Sequence, residues 1–100
     1  MAALTATELT ERLPLGNVSV KTFRTTTGSL AAAADEWIDT GLSEVLAIVG
    51  HAVHGIAGAT INFVKNAQGT GQAEGSTLGA LGIESSAAST VVEVTVLGRP

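Results

Sequence analysis

The chain has 100 residues, a formal charge of −4 at neutral pH and no cysteine. That length accommodates a single hydrophobic core, and the missing cysteines exclude disulfides, thiolate metal sites and thiol nucleophiles. The basic residues Arg12, Lys21, Arg24, Lys65 and Arg99 are scattered and the only aromatic residues are Phe23, Trp37 and Phe63, which argues against a nucleic-acid interface of clustered cations and stacking rings.

Hydrophobic residues make up 45% of the chain and charged ones 14%, a low charge density for a monomer that must cover its own surface. The expectation is a homo-oligomer or a component of a larger assembly. Met1-Ala-Ala-Leu4 lacks the basic and apolar regions of a secretory leader, so none is expected.

Residues 1–16 read as an N-terminal arm or short helical turn. Thr5-Ala-Thr-Glu8 has capping-box spacing, Leu9 and Leu13 stand four apart, and Pro14 with Gly16 stops a helix. The segment reads first as a frayed end with one loosely docked turn, and otherwise as an arm that offers Leu9 and Leu13 to a neighbour. The remaining residues, 17–100, read as one β-sandwich domain.

From Asn17 to Thr26, Val18, Val20 and Thr22 alternate with Ser19, Lys21 and Phe23, the pattern of a strand. Ser29 to Ile38 divides into a loop through the alanines and a strand holding Trp37 and Ile38, closed by Asp39-Thr-Gly41. Ser43 to His54 is apolar on both faces, which fits a central sandwich strand or a buried helix, and its β-branched residues with Gly50 favour the strand. Ala59 to Lys65 then reads as its hairpin partner. Leu46 to Val64 also contains no Asp, Glu, Lys or Arg, which fits a membrane-spanning helix as well; His51, His54, Asn62 and the glycines speak against one.

Gly69 to Thr77 reads as an exposed glycine-rich loop, and Leu78 to Ile83 as a short strand. Val91 to Leu97 is the clearest strand, with Val92, Val94 and Val96 on one face. Short strands with turn signals between them predict an all-β fold: a small antiparallel sandwich or barrel of about five to seven strands.

No group of residues carries chemistry. His51 and His54 would lie on opposite faces of a strand and lack a third metal ligand, so no metal site is expected and the pair reads as a surface or interface contact. Asp35, Glu36 and Asp39 do not follow a calcium-loop pattern and read as a solvated turn. Gly69-Thr-Gly71-Gln-Ala-Glu-Gly75 has the wrong spacing for a dinucleotide fingerprint and no Lys-Ser or Lys-Thr follows it. No serine sits in Gly-x-Ser-x-Gly. Asn17-Val-Ser19 is a chance sequon without a leader. Trp37 reads as an apolar anchor, in the core by preference and otherwise at an interface. No cofactor and no enzymatic activity are expected, and Leu9, Leu13, Trp37, His51, His54 and Val91 are the interface candidates.

Three segments together, Glu36-Trp-Ile-Asp-Thr-Gly-Leu-Ser-Glu-Val45, Phe63-Val-Lys-Asn-Ala-Gln-Gly-Thr70 and Val91-Val-Glu-Val-Thr-Val-Leu-Gly-Arg99, resemble small β-sandwich virion proteins of tailed bacteriophages. The resemblance spans roughly residues 17–99 and implies a non-enzymatic structural role in a virion assembled in the host cytoplasm. A capsid decoration (cement) protein is the leading form, and a tail, head-fibre or adaptor component the next. A small membrane protein such as a holin is the competing class. Strand addition at an exposed edge, with Val91 to Leu97 taking part, is the expected mode of docking.

Overall fold

The computed structural model describes residues 2–9, 14–15, 17–28, 35–54 and 59–100. Within them run nine strands: β1 (Ala2–Ala3), β2 (Ala6–Glu8), β3 (Pro14–Leu15), β4 (Val18–Thr26), β5 (Glu36–Asp39), β6 (Glu44–His54), β7 (Ile61–Lys65), β8 (Ala80–Ser85) and β9 (Val91–Arg99). Seven have three residues or more, and no helix occurs among the described residues. They form two facing sheets, ordered β1-β5-β8-β7 and β2-β4-β9-β6, with β3 also on β4. The fold is therefore the expected all-β sandwich. Neither sheet closes into a barrel, and β1 on β5 is the sole parallel pair among the described strands.

β9 is the central strand of the second sheet. It pairs antiparallel with β4 from Ser19↔Gly98 to Thr26↔Val91, and on its other side with β6. Its period-two valines give the reason: Val92, Val94 and Val96 have no exposed surface, so each contributes the full apolar burial of a valine, about 1.5–3 kcal/mol. On β4 the inward set is the one with Phe23 and Thr25, and Lys21 lies on that face too, opposite Val96. Its ammonium escapes burial by donating to the Thr40 carbonyl (3.2 Å) and pairing with Glu8 (3.5 Å). The core cluster is Phe23, Ile38, Leu42, Val45, Leu81, Val94 and Val96, with Leu4, Ala6, Ile48 and Phe63 packed against it.

The N-terminal segment is extended wherever it is described, and the capping-box spacing of Thr5 to Glu8 does not produce a helical turn. β2 instead pairs antiparallel with β4, Glu8 opposite Phe23. The cause is tertiary: Leu4 and Ala6 reach the core only if the backbone lies along the sandwich, and packing outweighs a weak local helix signal. The Leu4 N–H donates to the Trp37 carbonyl (2.7 Å), the Leu9 N–H to the Thr22 carbonyl (2.7 Å), and the Thr25 hydroxyl to the Thr5 carbonyl (3.0 Å). Between Ala3 and Ala6 the chain thus leaves one sheet and enters the other, closing that side of the sandwich. Leu13 lies outside the described residues.

Two other expectations are corrected. β6 is an edge strand, not a central one, and its second half is mostly exposed. β6 and β7 are not a hairpin: β6 pairs with β9 and β7 with β8, in different sheets. A run apolar on both faces fits two-sided burial, but here the inner face alone meets the core, with Val45 in it and Ile48 against it. In the stretch considered as a membrane helix, residues 46–54 belong to β6 and 61–64 to β7, and no helix of the described residues is long and apolar enough to cross a membrane.

The loop expected over Gly69 to Thr77 is exposed only in part, and buried residues precede it from Asn66. Residues 71–76 are exposed, whereas Asn66, Ala67 and Gly69 are buried. Gly69 lies against Gly82 on the face of β8 turned away from the other sheet, where a Cβ on Gly82 would stand 2.7 Å from the Gly69 carbonyl group. The Thr70 hydroxyl donates to Glu84 (3.2 Å) beside it. Asn66, at φ 56°, binds the loop to β6: its Oδ1 accepts from the Val45 N–H (2.8 Å) and the Gly79 N–H (3.1 Å), and its Nδ2 donates to the Val45 carbonyl (2.8 Å).

Candidate functional site

The two long sides of the sandwich differ. One is closed by β1 and β2, a single segment shared between the sheets. On the other, β6 and β7 are the outer strands of their sheets. β6 pairs only with β9 among the described residues, so its outer margin carries backbone N–H and C=O groups with no strand beside them.

That margin is sealed at its start and open beyond. The Asn66 amide occupies the backbone of Val45, and Lys65 Nζ donates to the Leu46 carbonyl (3.1 Å). Lys65 is in turn paired with Glu74 (3.3 Å). From Ala47 onward no side chain of the described residues bonds to the β6 backbone. Two bulges, between Val45 and Ala47 and between Ile48 and Gly50, turn the strand before it runs regularly on β9 from Gly50 to His54. Val49, at the second bulge, is 63% exposed, the most exposed of the large hydrophobic residues described.

Between β6 and β7 lies an open groove of about 580 Å³ lined by Ala47, Ile48, Phe63, Val64, Lys65, Gln72 and Glu74. His51 stands edge-on to Phe63 with ring centroids 5.3 Å apart. The groove has an apolar base and one neutralised ion pair at its rim. That suits a chain segment or an apolar side chain better than a charged small molecule.

The outer face of the β2-β4-β9-β6 sheet carries the strongest charge contacts. Arg24 and Glu93 are directly opposed, with Arg24 Nε 2.9 Å from Glu93 Oε1 and the guanidinium's terminal nitrogen on the same oxygen. His54 Nε2 reaches the other oxygen at 3.4 Å. The hydrogen bond from Arg24 holds the Glu93 carboxyl below its ordinary range; partial desolvation opposes this, and His54 adds to the lowering. Lys21, Arg24, Lys65 and Arg99 each lie within ion-pair distance of a carboxylate, so the described residues present no unpaired basic patch.

The interface candidates therefore separate. His51 and His54 both lie on the open β6 strand, one beside Phe63 and the other on Glu93. Leu9 is 45% exposed but sits on the closed side, after β2. Trp37 is half-buried on β5, opposite Gly82 and away from the core cluster, so the preferred core placement does not hold. Val91 begins β9, which is paired on both sides, so strand addition through Val91 to Leu97 is sterically closed. The exposed edge belongs to β6 instead.

Val49, Asn66 and the Arg24–Glu93 pair were not singled out by the sequence. The signal for the edge was present in Gly50-His-Ala-Val-His54, where small and polar residues replace the apolar run. The cross-strand partners of Glu93 and Asn66 are 69 and 21 residues away and leave no local pattern. Among the described residues, no three histidines or carboxylates gather as a metal site would require. Comparison with protein-family models, curated proteins and solved structures finds no match to this chain.

Proposed function

We propose that this chain is a non-enzymatic structural protein that works by docking its open β6 side onto other protein, and that it serves as a virion component of the capsid-decoration kind. One observation carries the reading: a sandwich bridged on one side by its own N-terminal segment keeps, on the other, an 11-residue strand whose outer margin from Ala47 onward has no strand or side-chain bond on it among the described residues. Soluble proteins usually protect such a margin with charge, proline, a bulge or a covering loop, and past the second bulge, from Gly50 to His54, the described residues supply none of these. The low charge of the chain and the pairing of its described cations with its own carboxylates support the same reading. The virion assignment rests on the sequence resemblance. Within it, decoration of a shell fits a compact module with one docking side better than a tail or fibre role, which calls for elongation.

The test is localisation. Particles made by the genome that encodes this chain are probed with gold-labelled antibody in electron micrographs. Label distributed over the particle shell is the expected result. Label confined to tails or fibres moves the chain to that role, and particles without label, with the protein recovered elsewhere in the cell, overturn the virion reading.

A further inference from the structure

We infer that the first partner of the open edge is a second copy of this chain, the two β6 strands pairing antiparallel about a two-fold axis to join the β2-β4-β9-β6 sheets of both copies. The inference rests on the docking role proposed for β6 and deepens it by naming the occupant.

A row of N–H and C=O groups with no strand beside it is a template for another extended backbone, which sets the chemistry of the occupant. Its charge narrows the choice further. From Val45 to Val53 the strand contains no Asp, Glu, Lys or Arg, while the whole chain carries −4. Two acidic copies repel over most of their surface, yet along this strand each meets a neutral one. A basic partner finds nothing here to attract it, since Glu93 is engaged by Arg24 and His54 and Glu74 by Lys65.

Geometry favours the same occupant. In a two-fold antiparallel pair each contact occurs twice, so one adequate strand suffices for both sides. The regular stretch from Gly50 to His54, past the two bulges, has the usual length of a strand in a sheet. Val49 lies at its start, where a neighbouring strand would cover its exposed side chain. Lys65, holding the Leu46 carbonyl, marks where pairing must stop.

The chain's lack of cysteine makes the test clean. Val49→Cys, Gly50→Cys, His51→Cys and Ala52→Cys are prepared singly, with Asn62→Cys on β7 and Thr26→Cys on β4 as exposed controls, and each is mildly oxidised at equal concentration. At least one β6 variant is expected to become mostly disulfide-linked dimer while both controls stay monomeric. Cross-linking no greater on β6 than in the controls overturns the pairing. Sedimentation velocity supplies a second reading: the unmodified protein is expected to sediment as a dimer, and Val49→Lys to raise the dimer Kd at least tenfold with an unchanged circular dichroism spectrum. A monomer at every concentration, or a dimer indifferent to Val49→Lys, also overturns it. A monomeric protein found on particle shells would sink this pairing and leave the virion reading standing, whereas a β6-linked dimer absent from particles would do the reverse.

Discussion

Asn66 makes three hydrogen bonds with one amide while holding a left-handed backbone that asparagine tolerates better than most residues. Removing the amide strands the Val45 N–H and C=O and the Gly79 N–H in a buried site. Asn66→Ala is therefore expected to destabilise the fold by about 3 kcal/mol, seen as a lower urea midpoint with the m-value unchanged. Gly82 acts through space rather than bonding. A methyl there meets the Gly69 backbone at 2.7 Å, so Gly82→Ala should cost about 2 kcal/mol as the loop is pushed off β8; a midpoint equal to the parent's would show that the loop does not pack there. The sequence marks both positions as turn or strand glycine and asparagine. It could not show that Asn66 reaches back to Val45, because a side-chain bond across 21 residues has no periodicity to read.

At the scale of elements, legibility followed burial. β9 and β4 were evident because one-sided burial imposes alternation, and Val92, Val94 and Val96 are buried as that alternation requires. β6 was recognised as a strand yet misplaced at the centre, since its apolar first half obscured that the second half faces solvent. The same strand contributes His54 to the Glu93 cluster, which predicts a pH response. Glu93 is held below its ordinary value mainly by Arg24. Its folded pKa therefore lies under the unfolded one, and its stabilising effect is present above about pH 4.3, the ordinary glutamate value, and lost as pH falls through the folded pKa. Denaturant unfolding of the parent and Glu93→Gln should then differ near neutrality and converge below that range. A difference that persists undiminished at low pH would mean that Glu93 acts through packing rather than through its charge.

The whole molecule is asymmetric. Leu4 and Thr5 carry the chain from one sheet to the other, so the outer strands there, β1 and β2, are only two and three residues long, while β7 and the 11-residue β6 are the outer strands on the opposite side. Composition foretold an assembling chain and a sandwich, but which side is open depends on strand order, and that order is set by pairs such as Thr22 with Thr95, 73 residues apart. The account therefore turns on β6 as the docking margin. Amide hydrogen exchange read by mass spectrometry, comparing dilute protein with its assembled form, tests this most directly. Peptides covering 47–54 are predicted to gain strong protection on assembly while those covering 2–9 stay unchanged; protection gained on the N-terminal side, or on neither, would contradict it.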